Sequence, residues 1–266
     1  MREEAIFLTI PGVTGRYLFT YAHYPEVLTG QAFVFLNPIL DEKKKVHNFQ
    51  AEVARALCGC GYMVFRFDYY GTGDSGGELF ELDLNETMND MLFLLEYIKS
   101  LHTITDLRLL GIRFGADLAV LLAEKQRQIN GLFLIEPLTD GSRYLMEQRL
   151  RRRLFYKLKQ ITDPEEYFMI DDVPYEDFQG FPLSSSNIAF IESIQAGRAM
   201  PEGRTIYIFT VNTVNANERV RDLVGILAKS NATKSVSVDC QEFWVTFELS
   251  DTQVLTGEIV KQVGRV

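Results

Sequence analysis

The sequence predicts an α/β fold: a doubly wound, mostly parallel eight-stranded sheet with a helical cap inserted after the sixth strand. Three observations predict it. Short, largely apolar segments at residues 32–36, 62–67, 107–110 and 132–135, the first and last without a polar residue, read as strands buried on both faces. Helical periodicities separate them at the spacing of right-handed crossovers. The chain has 266 residues and is 47% hydrophobic, enough for a full core in one large domain with an insertion or in two small domains.

The elements follow in order. Residues 5–10 and 16–22 read as an antiparallel pair around the turn Pro11-Gly12-Val13-Thr14-Gly15. The strand at 32–36 leads into Asn37-Pro38-Ile39-Leu40, a charged stretch at 41–45 and a helix at 46–57 that ends near Gly59 and Gly61. The strand at 62–67 runs into the glycine-rich loop 68–77. Residues 85–101 carry a helical stripe of Met88, Met91, Leu92, Leu95 and Ile98. The strand at 107–110, a tight turn and an apolar helix precede the strand at 132–135. The alternation then stops: residues 137–201 show no strong strand, one basic amphipathic helix at 143–159 and an acidic, aromatic stretch at 163–181. It resumes with strands at 205–211 and 235–239 and helices at 217–229 and 252–263. The expected division is a core of residues 1–136 and 202–266 with a cap of residues 137–201, without internal repeats.

Composition excludes some functions. A net charge of −9 argues against general nucleic-acid binding, which needs a basic face. Cys58, Cys60 and Cys240 cannot all pair within the chain, which points to a reducing, cytoplasmic compartment. The N-terminal MREEAIFLTI has acidic residues where a signal peptide carries basic ones, and no run is long and apolar enough for a membrane span. No metal or cofactor is expected; a homodimer is compatible with the sequence.

The turn Gly111-Ile112-Arg113-Phe114-Gly115 has the frame Gly-x-Ser-x-Gly of a nucleophile elbow, a strained strand-to-helix turn that presents one side chain above the sheet. Here that side chain is Arg113, which is always cationic and has no lone pair for attack. Arg113 can grip a carboxylate or phosphate near the helix start, or act as an internal strut paired with a carboxylate. Glu42 is the first candidate partner. An anion pocket built from backbone donors would involve Phe114 and the Pro38-Ile39 loop. Residues 41–45 also read as a solvated, mixed-charge helix start.

After the strand at 205–211 the acid position offers only Asn212, Thr213, Val214 and Asn215, more in keeping with a turn than with a ligand contact. The base position after residue 239 offers Cys240, Gln241, Glu242, Phe243 and Trp244, with no histidine. Glu242 is a weak candidate acid or base, and Cys240 a nucleophile only if its thiol is activated. His23, His47 and His102 read as surface or cap residues. The glycine-rich loop lacks a phosphate-cradle pattern; it reads as a turn packed under the elbow, with Asp74 and Ser75 bonding backbone groups. In the basic helix, Met146, Leu150, Leu154 and Leu158 form an apolar stripe. That stripe is expected to cover the pocket as a lid, the alternatives being an anionic membrane or an acidic partner. Acidic residues in 163–177 can neutralise the helix internally.

Several segments together resemble the α/β-hydrolase superfamily, and within it the second type of exosortase A system-associated hydrolases. They are Asn37-Pro38-Ile39-Leu40-Asp41-Glu42 with Lys45, Phe67-Asp68-Tyr69-Tyr70-Gly71-Thr72-Gly73-Asp74-Ser75, the elbow through Ala116, Glu136-Pro137-Leu138-Thr139-Asp140-Gly141-Ser142-Arg143-Tyr144-Leu145, Gly180-Phe181-Pro182-Leu183-Ser184, and Phe243-Trp244. That family's elbow is similar, Gly-Leu-Arg-Leu-Gly-Ala, which makes Arg113 a shared feature; this chain departs from it at Asn37. The resemblance implies a bacterial protein near exopolysaccharide or envelope biosynthesis, and no particular reaction.

Three readings stand. The first is a hydrolase-fold protein without a Ser-His-Asp triad that binds a small anionic or acyl-bearing ligand at Arg113. The second is an active hydrolase or acyltransferase with non-standard residues. The third is a structural interaction protein with Arg113 sealed inside by Glu42 or Glu242.

Overall fold

The computed structural model describes residues 1–101, 103–194, 202–211, 218–245 and 251–264, with backbone alone at 218 and 219. In chain order the strands are β1 (Arg2–Thr9), β2 (Tyr17–Tyr24), β3 (Gln31–Leu36), β4 (Met63–Phe67), β5 (Asp106–Ile112), β6 (Ile129–Ile135), β7 (Tyr167–Ile170), β8 (Val173–Asp177), β9 (Pro182–Ser184), β10 (Thr205–Val211) and β11 (Ala232–Val238). The helices are α1 (Glu42–Lys45), α2 (His47–Gly59), α3 (Leu84–Leu101), α4 (Phe114–Lys125), α5 (Gly141–Lys159), α6 (Ser185–Glu192), α7 (Glu218–Leu227) and α8 (Gln253–Val263). The main sheet runs β1-β2-β4-β3-β5-β6-β10-β11. Its first two pairings are antiparallel and the rest parallel. This is the doubly wound fold that the apolar runs predict.

Each face of the sheet has its own core. On one face α3, α4 and α7 pack through residues such as Met91, Leu95, Leu118, Leu122 and Leu223. On the other, α2 and α8 pack through Phe49, Val53, Leu57, Leu255 and Ile259. The central strands are apolar on both sides because both sides are covered.

The insertion after β6 differs from expectation. It holds α5, a small antiparallel sheet β7-β8-β9 and α6. Asp171 and Asp172 both take positive φ at the β7–β8 turn, as a tight hairpin requires. Acidic side chains and Pro174 hid these strands from a reading based on apolar runs. β11 starts earlier than expected because Thr233, Lys234 and Ser235 lie on a largely exposed strand at the sheet edge.

The apolar stripe of α5 also differs. Met146, Leu150, Leu154 and Leu158 face solvent, while Tyr144, Leu145, Gln148 and Arg152 face inward. The reason is electrostatic. Arg149 forms a bidentate pair with Glu176 at 2.9 and 2.7 Å, and Arg152 reaches Glu166 and Glu176 at 3.0 Å each. These acids of the 163–177 segment draw the charged side of the helix inward and neutralise it there.

Two close approaches position the site. A Cβ on Gly111 would lie 2.3 Å from the Gly115 carbonyl oxygen, and one on Gly115 would lie 2.2 Å from that of Leu36. The buried Asp117 of α4 accepts the Leu138 and Thr139 N–H groups at 2.8 and 3.1 Å, fastening the loop after β6. Burial pushes its carboxyl up to about 6 despite these two donors.

Gly115→Ala forces backbone apart and costs about 3 kcal/mol or more. Gly225→Ala, which meets nothing within 4 Å in α7, raises stability by about 0.5–1 kcal/mol. Chemical denaturation of both variants measures the contrast. Asp117 binds its proton more tightly in the folded chain than in the unfolded one, so its contribution is full below pH 4 and declines as pH rises through 6. The unfolding free energy of the wild type minus that of Asp117→Asn therefore falls by about 3 kcal/mol from about pH 2 to about pH 8, and by about 2 kcal/mol of that between pH 4 and pH 6. A difference that stays flat from acid to neutral pH contradicts the assignment.

Candidate functional site

β5 ends at Ile112 and α4 begins at Phe114; Arg113 joins them at φ 53°, ψ −123°. This left-handed conformation is costly for a side-chain-bearing residue. Flanking bonds hold it: the Arg113 N–H donates to the Ile135 carbonyl and the Ala116 N–H to the Arg113 carbonyl, both at 2.8 Å. The turn is thus a nucleophile elbow in its backbone, and it carries a guanidinium at the carboxyl ends of the parallel strands.

The Arg113 side chain is only 12% exposed. Its Nε lies 3.5 Å from Glu42 Oε2, and its guanidinium carbon lies 5.4 Å from the centre of the Trp244 ring. Burial pulls its pKa down, and Glu42, Tyr144 and Glu136 outweigh that, leaving it above its ordinary value. Its terminal nitrogens donate to no described residue, and the contact from Nε falls short of a hydrogen bond.

Glu42 opens α1 and is wholly buried, not in a solvated turn as residues 41–45 suggested. Its Oε1 accepts from Gln148 Nε2 at 3.3 Å and lies 3.5 Å from Arg151 Nη1. Burial raises its pKa; Arg113 and Arg151 oppose the rise. Two guanidinium groups from separate elements therefore face one carboxylate. That pairing is why a carboxylate tolerates full burial here.

A cavity of about 60 Å³ lies beside Arg113, lined also by the charged residues Glu136, Asp140, Arg143 and Glu147 and by Pro137, Leu138, Tyr144 and Val220. The Tyr144 hydroxyl is buried with no hydrogen-bond partner among the described residues, and its ring stacks on Phe114 at 6.4 Å. Glu136, at φ 46°, accepts the Val211 N–H at 2.6 Å, and burial raises its pKa.

The sequence-predicted residues are only partly gathered. Arg113 and Glu42 meet, and Phe114 lies at the base of the site with its ring buried. Pro38 and Ile39 line a neighbouring cavity of about 320 Å³ with Tyr69, Leu82 and Phe181. Their loop is fixed through Asn37, whose side chain donates to the Phe67 carbonyl at 2.5 Å and accepts from Gln50 at 2.8 Å. Asn212 and His102 lie outside the described residues. Cys240 is a buried free thiol that burial pushes up to about 11, so it is not an activated nucleophile. Glu242 is exposed.

His23 is buried on β2, where desolvation pulls it down to about 4; His47 begins α2, and burial lowers it too. In the glycine-rich loop Ser75 bonds backbone as expected, accepting from Phe19 N and donating to the Asp68 carbonyl. Asp74 instead contributes its N–H, to Asp68 Oδ2. The loop packs against β2 more than beneath the elbow, through Gly76 N to the Tyr17 carbonyl and Asp68 N to the Phe19 carbonyl. Among the described residues no group of three or more His, Cys, Asp or Glu side chains could hold a metal ion, and no helix is long and apolar enough to cross a membrane.

Gln148, Arg151 and Tyr144 escaped the sequence reading because α5 was read by its apolar residues; the signal was a Tyr-x₃-Gln-x₂-Arg pattern on the opposite face.

Comparison with known proteins agrees with this fold. Est1E from Butyrivibrio proteoclasticus superposes with a TM-score of 0.65 at 15% identity, covering 98% of each chain. DcsB, solved in complex with its substrate analogue, gives 0.67 at 13% identity over 99% of this chain and 97% of that one. XC6422 from Xanthomonas campestris, described as an α/β serine hydrolase without a lid, gives 0.60 at 16% identity over 99% and 94%. These likenesses establish a shared fold. No curated protein matches the chain. The family model described as serine aminopeptidase, S33 matches residues 43–225, and the chain belongs to that family of α/β hydrolases.

Proposed function

We propose that this chain is a binding protein on an α/β-hydrolase scaffold, in which the elbow presents a cation in place of a nucleophile. Arg113 grips the carboxylate of a small acyl-bearing or otherwise anionic ligand, and residues 137–201 act as the cap above it. The observation that carries this reading is the buried Arg113 guanidinium, whose terminal nitrogens have no acceptor among the described residues beside a cavity of about 60 Å³. The Tyr144 hydroxyl, unpartnered among the described residues, is a second donor, and the start of α4 adds the Phe114 N–H. Glu42 divides its charge between Arg113 and Arg151 and so does not neutralise Arg113 alone, while Glu136 on the cavity wall also faces Arg113. The cavity suits a small head group; a bulkier ligand needs the cap to move. The resemblance of the Gly-Ile-Arg-Phe-Gly-Ala elbow supports placing this activity with the exosortase A system-associated proteins, in bacterial exopolysaccharide or envelope biosynthesis.

The family match favours a second reading, an active hydrolase with non-standard residues such as Glu242. Our reading predicts that p-nitrophenyl acetate and butyrate are hydrolysed no faster than in buffer. Turnover that disappears in Glu242→Ala supports the second reading instead.

Ligand binding is tested by thermal shift with acetate, propionate and butyrate. A carboxylate raises the wild-type Tm in proportion to ln(1 + [L]/Kd) and does nothing for Arg113→Met combined with Glu42→Gln, which leaves no buried charge unpaired. Arg113→Ala alone leaves the buried Glu42 with only Gln148 and Arg151 and costs about 3 kcal/mol. If no carboxylate shifts the wild type while Arg113→Ala is destabilised this much, Arg113 is a strut and the binding reading fails.

A further inference from the structure

We propose that the solvent face of α5 seats the protein on an anionic lipid surface. Met146, Leu150, Leu154 and Leu158 are 63%, 57%, 51% and 82% exposed, and Leu158 is the most exposed large apolar side chain described. Each step between them turns the helix by only about 40°, so they form one contiguous stripe. Phe155 and Ile161 extend the apolar surface at the projecting end of the helix.

The stripe is not a displaced part of the core. The opposite face of α5 is already fixed by Tyr144, Leu145, Gln148 and Arg152, and by the pairs to Glu42, Glu166 and Glu176. No rotation of the helix buries the leucines without breaking those pairs.

Charge selects the occupant. α5 carries seven basic residues and one acidic residue in a chain whose net charge is −9. Arg153, Lys157 and Lys159 are exposed and have no carboxylate partner among the described residues. They flank the stripe as lysines and arginines flank the apolar face of helices lying in a lipid headgroup layer. A second copy docked symmetrically on this face would bring the same uncompensated cations together. An anionic bilayer supplies the missing charge and a solvent for the leucines.

The test is flotation of the full chain with phosphatidylcholine vesicles, with and without phosphatidylglycerol, alongside light scattering of the protein alone. The wild type is expected to float with phosphatidylglycerol vesicles, less so at high salt. The triple variant Leu150→Glu, Leu154→Glu, Leu158→Glu loses at least about tenfold in partitioning with an unchanged Tm, since these side chains touch nothing in the Arg113 site. Arg153→Glu with Lys157→Glu abolishes the preference for phosphatidylglycerol. The proposal is overturned if the wild type does not float with anionic vesicles, or if the leucine variant floats equally well. It is also overturned if the wild type is a dimer that the leucine substitutions dissociate, since a second copy then covers the face.

Discussion

The buried contact between Arg113 and Glu42 is the constraint around which this structure is arranged. A guanidinium at the elbow cannot be left in an apolar interior alone, and a carboxylate as deeply buried as Glu42 cannot be left there either. Each makes the other tolerable, but imperfectly: at 3.5 Å the contact is loose, and Glu42 also engages Gln148 and Arg151. The insertion is thereby tied to the core through charge as well as through the apolar contacts of Tyr144 and Leu145. A hydrolase elbow positions a nucleophile against a base; the same backbone here positions a cation against a partly shared counter-charge.

That arrangement inverts α5. An ordinary surface helix turns its apolar stripe inward and its charges outward. In α5 the inner face carries Gln148 and Arg152, with Arg149 and Arg151 at its margins reaching Glu176 and Glu42. Four leucine and methionine side chains are left outside. The inner face serves the elbow and the outer face is free for a surface of another kind. A substrate or ligand held by Arg113 would lie beneath a helix whose outer side is suited to lipid.

Much of the fold was legible because it rests on burial. Strands covered on both faces are mostly apolar, so residues 32–36 and 132–135 declare themselves, and the elbow is marked by two glycines at which a Cβ would lie within 2.3 Å of backbone. The edge and insertion strands were not legible, since β8 carries Pro174, Asp177 and Glu176, the last paired with Arg149 of α5, and β11 carries Lys234 on a largely exposed strand. At the site, Arg113 and Glu42 could be named because a charge at an elbow demands a partner. Tyr144, Gln148 and Arg151 could not, because their role depends on which face of α5 turns inward, and long-range pairs with Glu42 and Glu176 decide that. Pro38 and Ile39 were read as part of the Arg113 pocket, but Tyr69 and the Asn37 hydrogen bonds hold their loop against a separate cavity.

The central claim is that the Arg113 guanidinium is an anion-binding group rather than a sealed strut. Nitrogen-detected NMR of the guanidinium resonances during a titration with propionate addresses it directly. The account predicts a saturable shift and slowed proton exchange at the Arg113 terminal nitrogens, with Arg149 and Arg152 unmoved in their pairs with Glu176. Resonances of Arg113 that stay fixed throughout the titration, already protected from exchange in the free protein, would contradict it and leave Arg113 as a structural cation.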